Sequence, residues 1–136
     1  MDSVNNKNYN PQKFTQPSPV SNDIEIDVGL GSVQIGSLGC DGCSVLLYSL
    51  IDQTIATFNY NDGKLTTVHT FDLQLNPGYL FELKHQKDKY DVPYYAIVVH
   101  IHGVGIESLI NIKDFEQAKQ AYAEIDMLTR RFRQLH

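Results

Sequence analysis

The sequence of 136 residues lacks any apolar run long enough to cross a bilayer. Its longest apolar stretch, residues 44–51, has the length of a strand and is interrupted by Tyr48 and Ser49. Residues 1–6 are polar, so the basic start and apolar segment of a secretory signal are also missing. These absences predict a soluble, cytoplasmic protein whose two cysteines stay reduced.

Basic residues are scarce, with 11 Lys and Arg against 16 Asp and Glu and a formal net charge of −5. We therefore expect neither nucleic acid nor anionic lipid as a partner, because such binding rests on many cationic contacts. Six basic residues form two clusters, namely Lys84, Lys87 and Lys89, and Arg130, Arg131 and Arg133. Such clusters are typical of a solvated loop and a helix C-terminus, and a local acidic docking site is the alternative.

Catalytic motifs are missing as well. The sequence contains no Gly-x-Ser-x-Gly elbow, and its glycines between residues 29 and 42 fit turns rather than a phosphate-binding loop. His69 shares a predicted strand face with Leu65 and Phe71, where it is either a satisfied, half-buried side chain or a lone general base. We predict that the protein is not an enzyme.

Alternating apolar and polar residues predict antiparallel strands over most of residues 23–112. The clearest local signal is Asp62-Gly63 between two such runs, because this pair supplies the positive φ values of a tight hairpin. A short charged loop before Pro93 separates two later strands. The expected fold class is α+β and mainly antiparallel β, a six- to seven-stranded roll or small barrel followed by one C-terminal amphipathic helix.

The two ends of the chain have contrasting patterns. Residues 1–22 are rich in Asn and Pro, which predicts a tail that is flexible or ordered by a partner, ahead of a single domain over residues 23–136. Residues 114–135 carry an apolar stripe at helical spacing. Asp114 and Gln117 have the spacing of a capping box at its start.

One partial metal-ligand pattern is present. Cys40 and Cys43 form a Cys-x-x-Cys turn, a spacing that lets two thiolates point at one zinc ion. His100 and His102 could supply the other two ligands, since alternate strand residues project to the same side. The alternative is that the cysteines lie in an ordinary turn and the histidines on the outward face of their strand. The zinc site therefore depends on whether the two pairs meet in space.

The best candidate recognition surfaces combine aromatic, cationic and apolar residues. These candidate partner-binding residues are Tyr90, Tyr94, Lys84, Lys87, Lys89, Arg130, Arg131, Phe132 and Leu135. Our leading hypothesis is a non-catalytic protein-interaction or assembly module that acts through the tail, the tyrosine- and lysine-rich loop or the C-terminal helix, on another protein or on its own copy as a homo-oligomer. The alternative is a small zinc protein, and the third possibility is a protein that binds or sequesters a small ligand.

Overall fold

The computed structural model describes residues 20–21, 23–37, 41–75 and 78–135, with side chains as far as Arg130. This part of the chain contains nine strands and one helix. The strands are β1 (Val20–Ser21), β2 (Glu25–Gly29), β3 (Ser32–Gly36), β4 (Cys43–Ser49), β5 (Thr54–Asn61), β6 (Lys64–Asp72), β7 (Tyr79–Lys87), β8 (Pro93–Ile101) and β9 (Gly105–Ile112). The helix is α1 (Phe115–Leu135).

The strands form two sheets, which confirms the predicted mainly antiparallel α+β class. One sheet has the order β2-β3-β4-β5-β6 and the other the order β1-β9-β8-β7. Every neighbouring pair is antiparallel except β1 and β9. Nine strands exceed the six to seven expected, and β1 lies in the segment assigned to the tail. A strand of two residues is too short to leave an alternating pattern.

The β5–β6 hairpin has the predicted tight turn. Asp62 has φ 53° and Gly63 has φ 76°, the left-handed values that such a turn requires. The ladder shifts register where Thr57 pairs with His69 and Phe58 pairs with Thr67. Val68 is therefore the extra residue of a β-bulge in the middle of β6.

Both sheets and the helix contribute to one apolar core. The largest fully buried side chains include Ile35 and Tyr48 from one sheet and Ile97 and Ile110 from the other. The helix adds Ala118, Ala121, Ile125 and Leu128, which recur at the spacing of one helical face. Its first turn is capped as predicted, since the backbone N–H of Gln117 donates to Asp114 Oδ2 at 2.9 Å.

Polar contacts also fix the helix on the sheets. The hydroxyl of Tyr48 lies 3.2 Å from Thr129 Oγ1 and 3.3 Å from the hydroxyl of Tyr79. Tyr48 is fully buried, so these contacts let its hydroxyl stay inside the core. They join β4, β7 and α1 at a single point. No helix in the described part of the chain is long and apolar enough to span a membrane.

Candidate functional site

Strand β6 is an open edge of the five-stranded sheet, because it pairs with β5 on one side and with no described strand on the other. It is nine residues long, and only Phe71 is buried. Leu65 and Val68 expose 52% and 46% of their surface. These apolar side chains therefore lie in solvent, and no described strand pairs with the outer side of β6.

The other edges in the described residues are better protected. Edge strand β2 has five residues and carries Glu25 and Asp27, and edge strand β7 carries Glu82, Lys84 and Lys87. Edge strand β1 has only two residues. Charge and short length are the usual means by which proteins keep sheet edges from pairing with other chains. In β6 the residues that are charged at neutral pH, Lys64 and Asp72, lie at its two ends.

His69 anchors the middle of β6 over the core. Its Nε2 lies 3.4 Å from Oε1 of Glu107 on β9 in the other sheet. The Glu107 side chain is 3% exposed and that of His69 is 23% exposed. The His69 ring also stacks on Phe71, with ring centroids 6.0 Å apart. The contacts with Glu107 and Phe71 thus hold the His69 side chain, and with it the middle of β6, against the core.

The surroundings of Glu107 favour its protonated form. Burial raises the pKa of this carboxyl from 4.5 to about 8, and its Oε2 has no hydrogen-bond partner among the described residues. Acid–base chemistry needs a substrate within hydrogen-bond reach of the carboxyl. Neither Glu107 nor His69 lines the open depression formed by residues 78–80 and 100–106. The pair joins the two sheets.

His100 and His102 line an open depression of about 690 Å³ at one end of the four-stranded sheet. Its walls come from residues 78–80 and 100–106. The Nε2 atom of His100 lies 2.7 Å from Oε1 of Glu82, so this ring already has a carboxylate partner. His100 is half-buried, and His102 is exposed in the turn that follows β8.

Of the four proposed zinc ligands, the structure describes Cys43, His100 and His102, and it does not bring these three together. Cys43 lies in β4 of the other sheet and is disulfide-bonded, contrary to the expectation of reduced thiols. A sulfur in a disulfide is not a thiolate and so cannot ligate zinc. Cys40 lies outside the described residues. Within them, no group of three or more His, Cys, Asp or Glu side chains could hold a metal ion.

The tyrosine- and lysine-rich loop is held mainly by its own contacts. Asp88 Oδ1 accepts hydrogen bonds from the backbone N–H groups of Tyr90 and Val92 at 2.8 and 3.0 Å. Lys87 Nζ lies 3.7 Å from Asp91 Oδ1, and Lys89 Nζ lies 5.2 Å from the centre of the Tyr90 ring. The loop therefore lies in solvent, and its lysines Lys87 and Lys89 contact neighbouring residues of the same loop.

The remaining predicted partner-binding residues are spread over three elements. Lys84 is half-buried on β7, and Tyr94 on β8 lines a small cavity of about 150 Å³. Arg130 is exposed, with its Nε 3.0 Å from Asp126 Oδ2 one helical turn away. The helix backbone continues to Leu135, but the side chains of Arg131, Phe132 and Leu135 lie outside the described residues. Among those with described side chains, Lys84, Tyr94 and Arg130 lie on different elements.

Sequence reasoning missed the open edge and Glu107. The edge depends on which strands lie outermost, and strand order is not written in any local pattern. Glu107 follows apolar Ile106 in a strand that reads as ordinary alternation.

Comparisons with known proteins add no candidate function. No protein-family model, no curated protein and no solved structure matches this chain. Functional inference therefore rests on the chain's own residues and contacts.

Proposed function

We propose that this chain is a non-catalytic protein-interaction module that binds an extended segment of another chain at the open edge of β6. The bound segment adds a strand beside β6, so that main-chain hydrogen bonds supply affinity and alternate side-chain contacts supply specificity. One observation carries this proposal. Eight of the nine β6 residues are at least partly exposed, and no described strand pairs with the outer side of β6.

The composition of β6 supports strand addition. Threonine occupies three of its nine positions, and Leu65 and Val68 add exposed apolar surface. β-branched residues fit the pleated surface of a sheet and pack well against a neighbouring strand. Charged side chains along an edge strand disfavour pairing with another strand, because they would repel like charges or lose water in the interface. In β6 such charges are confined to the two ends of the strand.

The anchoring of β6 also supports binding. Phe71 is 4% exposed in the core, and His69 contacts Glu107 across the two sheets. A strand that is already held in its extended form loses little further conformational entropy when a second strand pairs with it. The β5–β6 hairpin therefore offers a preorganised template.

Peptide selection on the full chain tests this proposal. Random twelve-residue peptides displayed on ribosomes are selected on the immobilised protein, and amide hydrogen exchange then maps where the enriched peptides bind. We expect peptides rich in β-branched and aromatic residues that slow exchange in residues 64–72. Val68→Lys should weaken their binding at least tenfold, because it places a charge in the middle of the edge.

A matched control comes from the opposite edge of the same sheet. Val28 on β2 is 51% exposed, much like Val68, so Val28→Lys adds the same charge with a similar cost to folding. It should leave peptide binding unchanged. Equal binding to Val68→Lys and wild type, or protection that maps to other strands, would show that the β6 edge is not the docking site.

A further inference from the structure

We propose that the segment bound at β6 pairs with residues 64–67 and seats an aromatic side chain on Leu65 and Tyr60, with a Lys or Arg two positions further toward the hairpin end. This inference rests on the proposed function and names the chemistry of its partner. The evidence is the direction of the β6 side chains on each side of the bulge, together with the apolar and charged residues around the first half of the strand.

The bulge at Val68 reverses the direction of the side chains along β6. After the bulge, the odd-numbered residues His69 and Phe71 face the core. Before the bulge, Leu65 pairs with Tyr60, and the even-numbered residues of β5 project away from the core. Leu65 therefore lies on the outer face of the five-stranded sheet, which is the face directed away from the four-stranded sheet.

An apolar patch surrounds Leu65 on this outer face. Two cross-strand rows form the outer patch, namely Cys43, Tyr60 and Leu65 in one and Val45 and Phe58 in the other. Cys43 and Val45 are buried, Tyr60 and Phe58 are half-buried, and Leu65 is 52% exposed. These five side chains are separate from the described core cluster between the two sheets. The outer patch thus has a buried centre and becomes most exposed at the edge strand.

A strand added along residues 64–67 extends the outer patch. Its residue opposite Leu65 places its side chain on the same face, with the two Cβ atoms about 5 Å apart. An aromatic side chain at this position packs on Leu65 and reaches toward the ring of Tyr60 on the next strand. Such a contact buries the exposed part of Leu65 and adds the attraction between two aromatic rings.

The second half of β6 has smaller and more polar surroundings on the outer face. Its outward residues Thr70 and Asp72 pair with Ala56 and Thr54. These neighbours offer an aromatic side chain less apolar surface than the outer patch does. The bulge interrupts the ladder between the two halves, so a partner strand keeps regular pairing on one side of it. We therefore assign the pairing to residues 64–67.

The charges at the hairpin end favour a basic neighbour for the aromatic residue. The backbone N–H of Asp62 donates to Asp41 Oδ1 at 3.0 Å, so these two exposed acidic residues lie together beside the turn. Residues 14–63 contain no Lys or Arg. Lys64 projects to the opposite face from Leu65, because side chains alternate along a strand. A Lys or Arg two positions from the aromatic residue therefore lies near acidic groups on the outer face.

Three synthetic peptides of equal length test the chemistry of the segment. They share Thr- and Ser-rich ends and differ in the central five residues, which are Lys-Thr-Tyr-Thr-Lys, Lys-Thr-Ser-Thr-Lys and Glu-Thr-Tyr-Thr-Glu. In fluorescence anisotropy titrations with the full chain at low ionic strength, the first should bind about tenfold more tightly than the others. The second lacks the aromatic contact, and the third places like charges near Asp41 and Asp62. Amide hydrogen exchange should place protection by the first peptide at residues 64–67.

Leu65→Ser tests the position of the aromatic side chain. It should weaken binding of the first peptide about tenfold, because the apolar contact opposite the tyrosine is lost. Leu80→Ser is the matched control, since Leu80 is 58% exposed on edge strand β7 of the other sheet. This control should leave binding unchanged. Both variants should keep a cooperative unfolding transition.

The outcomes separate this inference from the proposed function. Selected peptides that protect β6 while the three synthetic peptides do not differ in affinity would leave strand addition standing and overturn the aromatic and basic segment. Wild-type affinity of Leu65→Ser for the first peptide, or protection confined to residues 69–72, would overturn the assigned position. Selected and synthetic peptides that all protect other strands would overturn both proposals.

Discussion

The imidazole of His69 and the carboxyl of Glu107 form a contact between the two sheets, with Nε2 and Oε1 3.4 Å apart. His69 belongs to the exposed edge strand β6, whereas Glu107 is buried on β9. Since burial raises the pKa of Glu107 to about 8, this carboxyl holds a proton in the folded protein at neutral pH. The contact between His69 and Glu107, which holds β6 against the other sheet, is therefore sensitive to pH.

The first prediction concerns the pH dependence of stability. The carboxyl of Glu107 titrates near pH 4.5 when unfolded and near pH 8 when folded, so the folded state binds more protons between these values. The free energy of unfolding should therefore fall as pH rises from about 4.5 to 8, by up to about 4 kcal/mol. Urea unfolding at a series of pH values measures this slope.

Glu107→Gln supplies the comparison, since an amide of similar shape does not titrate. The difference in unfolding free energy between wild type and variant should decline with rising pH over that window. A difference that stays constant from pH 4.5 to 8 would mean that Glu107 titrates normally in the folded protein.

The second prediction concerns the buried hydroxyl of Tyr48. Tyr48→Phe removes its contacts with Tyr79 and Thr129, and should lower the free energy of unfolding by about 1–2 kcal/mol. Thr129 keeps its hydrogen bond to the carbonyl of Ile125 at 2.9 Å, which limits the loss. Tyr90→Phe, at a side chain that is 73% exposed, should change stability little. Equal effects of the two substitutions would contradict the role of the buried hydroxyl.

The third prediction concerns the close approach of β3 and β4. A Cβ atom at Gly36 would lie 2.7 Å from Cγ2 and 2.9 Å from Cα of Val45, and a backbone atom cannot move aside cheaply. Gly36→Ala should therefore cost about 2 kcal/mol or more in thermal or urea unfolding. Gly29→Ala is the control, because its Cβ would meet mainly the side-chain oxygen of Ser32 at 3.1 Å. Equal stability of the two variants would contradict the steric explanation.

Much of the secondary structure follows from local chemistry. Asp62-Gly63 predicted the hairpin because only certain residues adopt positive φ easily, and Asp114 predicted the helix start because its side chain caps a free N–H group. Strand positions after Asp23 also followed the alternation of apolar residues. The class of fold was therefore accessible before the structure.

The site was less accessible, because it depends on distant parts of the chain. His69 and Glu107 are 38 positions apart, and no spacing rule relates them. The exposure of Val68 follows from the place of β6 at the end of the strand order, which is a property of the whole sheet. The zinc hypothesis failed for a related reason. The cysteine pair and the histidine pair each had a plausible local spacing, but the fold places Cys43 and His100 in different sheets.

The fourth prediction concerns metal content. Because Cys43 is disulfide-bonded and the described residues hold no three-ligand cluster, protein purified without added metal or chelator should show no stoichiometric zinc in a native mass spectrum. Reduction followed by addition of zinc should not change the melting temperature. One zinc per chain, lost in Cys43→Ser and in His100→Ala, would restore the zinc hypothesis.

The fifth prediction separates the edge from the helix as the docking surface. Truncation after Arg131 removes Phe132 and Leu135, the apolar residues that the sequence suggested for docking, but leaves β6 intact. If the partner segment binds at β6, the truncated chain should bind the selected peptides with wild-type affinity, while Val68→Lys weakens their binding at least tenfold. Both variants should keep a cooperative unfolding transition. A truncated chain that loses peptide binding while Val68→Lys still binds would assign the docking surface to the helix, since only the helix end differs between it and wild type.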